Sequence, residues 1–243
     1  MHRFFVPSAD RSGAVVALPE DEAAHLSRVL RLRVGEAIRV FDGRGGEWDA
    51  QVREVARQSV TVLLGDAVEP ALEPQVAIAL AVAVLKGDKM DAVVRDAVMM
   101  GIAEIRPLIT ERTEVGVRAV ERSNRVERWQ RIAVSSVKQC GRAVVPDILS
   151  VSSVADALSV PSRTRIVLME PRAHGAGSVP LRAVPPSTPV ELFVGPEGGW
   201  TEAELHQAVL AGAMLVTLGE HTLRADAAPL VAITALRVLW GDL

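Results

Sequence analysis

The chain has 243 residues, with 27 Lys and Arg against 30 Asp and Glu, so its formal net charge of −3 excludes a global positive field that would draw it to nucleic acid. A composition 49% hydrophobic and 23% charged is that of a globular protein able to bury a sizeable core. The longest apolar run, Val76 to Leu85, stops at Lys86 short of a membrane span, the first residues lack a secretory apolar segment, and the single Cys140 offers no disulfide or zinc spacing; a cytoplasmic protein with no metal and no membrane partner is expected.

The region up to residue 72 reads as β-rich. First comes "EDEAAHLSRVLRL", residues 20–32, which predicts one short helix with Ala24, Leu26, Val29 and Leu30 available for burial. Alternation then follows in pieces: Ile38 and Val40; Trp48, Ala50 and Val52; Val60, Val62 and Leu64, with "DGRGG" at residues 42–46 as a hairpin turn. "DAVEPALEPQ" carries Pro70 and Pro74 and reads as a linker, so the domain boundary is placed near residue 72.

Beyond it, strands and amphipathic helices alternate. "VAIALAVAVL" is a strand; "KMDAVVRDAVMMG" is a helix with Met90, Val93, Val94, Ala97 and Val98 inward; "IAEIRPLI" is a strand again. Between Val117 and Arg142 seven basic residues face two acids. On a helical projection Val126, Trp129, Ala133, Val137 and Cys140 share one side, and Arg128, Arg131, Lys138 and Arg142 the other, which is either a phosphate-contacting stripe or a solvated helix face. "RIVLMEP", "VELFVG" and "MLVTLG" continue as strands, with a polar, Gly- and Pro-rich loop over residues 171–189 and a last helix from about Ala228 to Trp240. Alternation of this kind predicts an α/β domain with a mostly parallel sheet covered on both faces.

Two strand-to-helix turns stand out. "ELFVGPEGGWTEAEL" places Gly-Pro-Glu-Gly-Gly between a buried strand and a helix opened by the capping box Thr201 and Glu204. "LVTLGEHTLRADAAPL" places Gly219 and Arg224 after another strand. In open α/β sheets such turns lie where ligands bind. Neither is a phosphate loop or a dinucleotide fingerprint, so a flat heteroaromatic base such as adenosine, beside Met169, Leu218 and Leu223, is the better fit.

"GPEGGWTEAEL" followed by "LGEHTLRADAAPLVAITAL" resembles the paired C-terminal motifs of the RsmE family, ribosomal RNA uridine-N3 methyltransferases of the SPOUT class. "RFFV", "HLSRVLRLRVGEAIRVFDG", "LKGDKMDAVVRDAVMMGIAEIRPLITERTEV", "RWQRIAVSSVKQCGRAVVP" and "ITALRVLWGDL" extend the resemblance along nearly the whole chain. It implies a PUA-like β-barrel over residues 1–72 that grips RNA, then a SPOUT domain over residues 73–243 with a parallel sheet and a deep trefoil knot, acting as a homodimer in the cytoplasm. The implied cofactor is S-adenosyl-L-methionine, held by Met169, Glu170, Pro171, Gly195, Pro196, Glu197, Gly198, Gly199, Leu218, Gly219, Glu220, Leu223 and Arg224. The implied substrate is a uridine of 16S rRNA or of the assembled small ribosomal subunit. An RNA-binding module that kept the fold without the chemistry is the alternative.

Loss of the N3 proton leaves charge on the flanking carbonyl oxygens, and Arg224 is the nominated stabiliser, with an ion pair to Glu220 or Asp226 as its structural reading. His221 is the candidate proton acceptor. The charge of Glu197 either fixes its turn or helps hold a sulfonium. Trp200 either flanks the base pocket or packs in the core. Candidate RNA contacts are Arg3, Arg28, Arg31, Arg33, Lys86, Lys89, Arg128, Arg131, Lys138, Gln139 and Arg142, although the first domain holds nine Arg against eleven acids. The family's Thr-Glu-Thr after Leu223-Arg224 is Ala225-Asp226-Ala227 in this chain, and its Glu-Leu-Gly is Met99-Met100-Gly101.

Overall fold

The computed structural model describes residues 1–57, 59–161, 163–171 and 177–243, which divide into two compact units: Met1–Glu73 with Val134–Val145, and Pro74–Ala133 with Pro146–Leu243. Residues 134–145, which a boundary near residue 72 assigns to the second domain, cluster with the first unit. The cause is side-chain chemistry that spacing does not reveal. The Arg3 guanidinium donates to the carbonyls of Val137, Lys138 and Arg142, while Lys138 pairs with Glu22 and Arg142 with Glu73.

In the first unit, strands β1 (Arg3–Phe5), β2 (Val15–Ala17), β3 (Ala37–Phe41), β4 (Glu47–Val55) and β5 (Val60–Ala67) form one sheet in the order β1-β3-β4-β5-β2, with β1 parallel to β3 and the other pairs antiparallel. The alternating residues bury as expected: Ile38, Val40, Trp48, Ala50, Val52, Val60, Val62 and Leu64 share one core cluster with Phe4 and Leu26. The 42–46 turn closes through the Asp42 carboxylate, which accepts from the N–H groups of Arg44 and Gly46. The expected helix is α-helical over Glu20–Ala24 (α1) and continues as a π-helix over His25–Leu30. Wider winding changes the phase of the inward face. Leu26 is fully buried, whereas Val29, expected inside from a 3.6-residue period, is 66% exposed.

The second unit opens with β6 (Ile78–Ala83), α2 (Lys89–Met99), β7 (Glu104–Ile109) and the short α3 (Val117–Glu121). Helix α4 (Arg125–Cys140) begins in this unit, and its residues from Val134 onward belong to the first. After it come β8 (Asp147–Ile148), β9 (Ser152–Ser153), α5 (Val154–Ser159), β10 (Thr164–Leu168), β11 (Val179–Pro180), β12 (Val190–Val194), α6 (Glu202–Leu210), β13 (Met214–Thr217) and α7 (Ala228–Leu239). The sheet runs β11-β13-β10-β12-β6-β7-β8, with β9 also on β7, and every pair is parallel.

Each apolar run became a strand and each amphipathic run a helix for the expected reason: Met90, Val93, Val94, Ala97 and Val98 are the buried residues of α2. The sequence reading passed over α5, although its start carries a capping box in which Ser153 and Asp156 satisfy each other's backbone N–H. Part of the expected loop over residues 171–189 is ordered otherwise: β11 joins β13 and a single 3₁₀ turn spans Leu181–Ala183. Residues 172–176, with His174, lie outside the described residues.

Candidate active site

Strands β10, β12 and β13 are neighbours in register and all point the same way, so the segments leaving their C-terminal ends converge. They enclose a cleft of about 540 Å³, within the usual range for small-molecule sites. It is lined by Met169, Glu170 and Pro171 after β10, by Gly195 to Trp200 after β12, and by Leu218 and His221 to Asp226 after β13. Of the nominated cofactor residues, only Gly219 and Glu220 are not in this lining; both nominated catalytic residues, His221 and Arg224, are.

The turn after β12 is held mainly by protein. Thr201 and Glu204 form the expected capping box at the start of α6. The Trp200 indole donates to the Leu168 carbonyl at 2.8 Å and lies over Gly195, where an added Cβ would sit 3.0 Å from the ring. Gly199 adopts φ +69°, the left-handed region where a Cβ is costly, and its N–H closes on the Pro196 carbonyl at 2.9 Å. Gly195, Gly198 and Gly199 are thus crowded by Trp200, Arg112 and Glu170, so these glycines also serve packing inside the protein. Trp200 takes its packing role and also borders the cleft.

Charge in the cleft is partly paired. Lys89, at the start of α2, meets the Glu197 carboxylate at 2.8 Å. Partial burial pushes the Glu197 carboxyl up, but the Lys89 ammonium and backbone N–H donors of Glu197 and Lys86 outweigh it and hold the carboxyl below its usual range. Arg224 extends into solvent with its side chain 76% exposed and its Nε 3.3 Å from Asp226 Oδ1. That contact leaves the two terminal nitrogens of the guanidinium able to donate elsewhere. Asp226 thus occupies the structural half of the alternative posed for Arg224, while the arginine still lines the cleft.

The nominated RNA contacts separate into two kinds. Arg3, Lys138 and Arg142 are structural in the first unit. Arg3 pairs with Glu47 at 2.9 Å, Lys138 with Glu22 at 2.8 Å, and the buried Arg142 with Glu73 at 2.6 Å. Burial pushes the Glu22 carboxyl up against the pull of Lys138. A helical projection cannot anticipate this for Arg142, which lies beyond the end of α4. Arg28, Arg31, Arg33, Arg131 and Gln139 are exposed, and Arg128 is exposed but paired with Asp91. Lys86 pairs with Glu114 at 2.5 Å. Among the described residues no group of three or more His, Cys, Asp or Glu is placed to hold a metal, and no helix is long and apolar enough to cross a membrane.

Arg112 is the charged cleft residue with the most contacts to the glycine turn that the sequence reading left without a role; Leu168, Val194, Glu202, Leu205, Thr222 and Ala228 also line the cleft without having been nominated. The signal for Arg112 was present in "ITERTEV", quoted for its resemblance without a role.

Comparison with known proteins agrees with this geometry. The family described as RNA methyltransferase domain matches residues 72–237, and the RNA methyltransferase PUA domain matches residues 18–64. A ribosomal RNA small subunit methyltransferase E of Synechocystis is 31% identical over 229 residues, 93% of this chain and 74% of the relative. A solved ribosomal RNA small subunit methyltransferase E from Neisseria gonorrhoeae, bound to S-adenosyl methionine, is 36% identical with a TM-score of 0.89, covering 99% of this chain and 98% of its own. A Legionella pneumophila methyltransferase with bound S-adenosyl methionine is 28% identical, also with a TM-score of 0.89, covering 97% and 96%. The chain therefore belongs to the ribosomal RNA small subunit methyltransferase E family.

Proposed function

We propose that this protein methylates N3 of a specific uridine in small-subunit 16S ribosomal RNA, using S-adenosylmethionine held in the cleft at the ends of β10, β12 and β13. The observation that carries the reading is the convergence in one cleft of the strand end at Met169–Pro171 with the two glycine turns that the sequence singled out. The residues fit such a guest: Met169, Leu218 and Leu223 give apolar walls, and the carboxylates Glu170 and Glu197 suit a cationic sulfonium. Among the described residues no side chain fills the cleft, which argues against a module that kept the fold without chemistry.

When bound, S-adenosylmethionine supplies an electrophilic methyl group. Attack by N3 forms the N–CH₃ bond as the S–CH₃ bond breaks, and the N3 proton must leave. His221, in the turn after β13, is the proposed acceptor. Arg224 donates to the uracil carbonyl oxygens as negative charge develops there, an arrangement worth most where water is excluded. Met169 to Pro171, Gly195 to Gly199, Leu218 and Leu223 bind and orient the cofactor. Exposed Arg28, Arg31, Arg33, Arg131 and Gln139, together with Lys86, Lys89 and Arg128 once their carboxylate partners are exchanged for phosphate, are the proposed RNA contacts.

The same reading includes a PUA-like barrel over residues 1–72, a SPOUT domain with a trefoil knot over residues 73–243, a homodimer and a cytoplasmic setting. The order β13-β10-β12-β6-β7, out of sequence in the chain, supports the SPOUT assignment. A stripe of Leu230, Val231 and Val238 along the outer side of α7, 36%, 42% and 57% exposed, supports pairing with a second copy. The test incubates the purified protein and isolated small subunits with isotopically labelled S-adenosylmethionine, then digests the RNA for nucleoside mass spectrometry. Labelled N3-methyluridine is expected; label in another nucleoside, or none with either subunits or naked RNA, overturns the proposal.

A further inference from the structure

Two peptide units of the turn after β12 are pinned at both ends. In the first, the Gly199 N–H donates to the Pro196 carbonyl and the Gly198 carbonyl accepts from Arg112 Nη1 at 2.8 Å. In the second, the Thr201 N–H donates to Glu204 Oε2 at 2.9 Å and the Trp200 carbonyl accepts from the same Arg112 nitrogen at 3.2 Å. The clamp comes from one short segment after β7, because the Glu111 N–H donates to the other oxygen of Glu204 at 2.9 Å. Contact is close: a Cβ at Gly198 would lie 3.1 Å from Arg112 Cβ.

Adjacent glycines make this turn the part of the cleft with the most conformational freedom to lose. We infer that Arg112 is a positioning residue that holds the Gly195–Trp200 turn in its ligand-ready shape and thereby sets the affinity for the methyl donor. The inference rests on the reading that the cleft holds S-adenosylmethionine. Without Arg112 the competent turn is a smaller fraction of the population, and the apparent dissociation constant rises by the inverse of that fraction. Once the cofactor is saturating the turn is restored, and turnover changes little. A residue acting on the uracil or on phosphates would show the reverse split.

The experiment titrates the full-length protein calorimetrically with S-adenosylmethionine, then measures turnover at saturating cofactor, for wild type, Arg112→Ala, Arg112→Lys and Leu223→Trp. Two charge-assisted hydrogen bonds at a partly exposed site predict a Kd raised about tenfold in Arg112→Ala. Turnover is expected within about twofold of wild type, and the ligand-free melting temperature is expected to fall by ~3–6 °C, the cost of a turn populated tenfold less. Arg112→Lys, whose ammonium can reach a carbonyl, is expected in between. Leu223→Trp fills the cleft and is expected to abolish binding. If Leu223→Trp loses binding while Arg112→Ala keeps the wild-type Kd, Arg112 does not position the turn. Turnover lost at unchanged Kd, or Arg112→Lys no better than Arg112→Ala in a folded protein, overturns it equally. Wild-type affinity in Leu223→Trp would instead refute the cleft reading and leave its mark on that reading alone.

Discussion

The two ends of the second unit's sheet, viewed on the face covered by α5 and α6, carry polar groups for opposite purposes. At the strand starts, Arg165, Glu191 and Glu104 lie in one row across β10, β12 and β7, with Arg163 and Arg106 two residues away on the same face. Most of these charges are met from within the protein: Arg163 meets Glu104 at 2.9 Å, Arg106 reaches Glu104 at 3.3 Å and Glu191 at 3.1 Å, and Arg165 donates to the Val160 and Ala211 carbonyls. Small Ala79 and Ala81 between them leave room for the long side chains. One row further along, Phe193, Val167 and Ala81, in register with Arg106, belong to the apolar core shared with α5 and α6. At the strand ends the chain turns on glycines around an open cleft, and Arg224 is exposed. A dense set of charges is therefore no mark of a site when most of it is met from within the protein. The site lies where the chain leaves the sheet and space remains.

The largest effect that sharpens this contrast is expected from Arg106→Ala. It strands Glu191, which has no exposed surface and whose Oε2 already lacks a hydrogen-bond partner, so unfolding in urea should show a loss of ~3–5 kcal/mol. Cofactor affinity of the folded fraction should stay as in wild type. Arg224→Ala is the converse: turnover should fall by about 10²–10³-fold if it meets the developing oxyanion. Stability should move by no more than ~0.5 kcal/mol, since the side chain is largely solvated. A stability loss matching that of Arg106→Ala would erase the distinction between the two ends.

A smaller effect appears against pH. Burial pushes the Glu191 carboxyl up despite Arg106, so its folded pKa lies above its unfolded one. Its favourable contribution is fully present below the unfolded pKa and is lost as pH rises through the folded value. Glu191→Gln removes this titration, so its stability relative to wild type should increase with pH across that window; a flat difference would mean that Arg106 fully compensates the charge. Glu197 has the opposite sign: its lowered carboxyl stabilises above the unfolded pKa, and the contribution fades as pH falls through the folded one. Lys89→Ala should weaken that acid-side loss and cost at most ~1 kcal/mol, because the pair is half-exposed. Thermal melts of both variants from acid to neutral pH check the two signs together.

Local rules were legible wherever neighbours along the chain decide the outcome. The 2.0 period of β4, the unbroken apolar run of β6, the 3.6 period of α2, the Asp42 turn, and the reciprocal cap at Thr201 and Glu204 required nothing distant. The two glycine turns were visible for the same reason, and the family resemblance supplied their ligand. Elsewhere the period misled: Val29 left the core when the helix widened to the π form, which no apolar count records.

The amino-acid sequence by itself determined most of the elements, the mostly parallel character of the second sheet and the identity of the turns, because propensity, periodicity and capping act over a few residues. Tertiary structure alone decided which charges are available. Arg3, Lys138 and Arg142 looked like hands for phosphate until Glu47, Glu22 and Glu73, far away in the chain, neutralised them. It likewise brought Arg112 to the carbonyls of Gly198 and Trp200, 86 and 88 residues away. Ion pairs and carbonyl clamps form between groups that share space, and which groups share space is fixed only when the sheet order is.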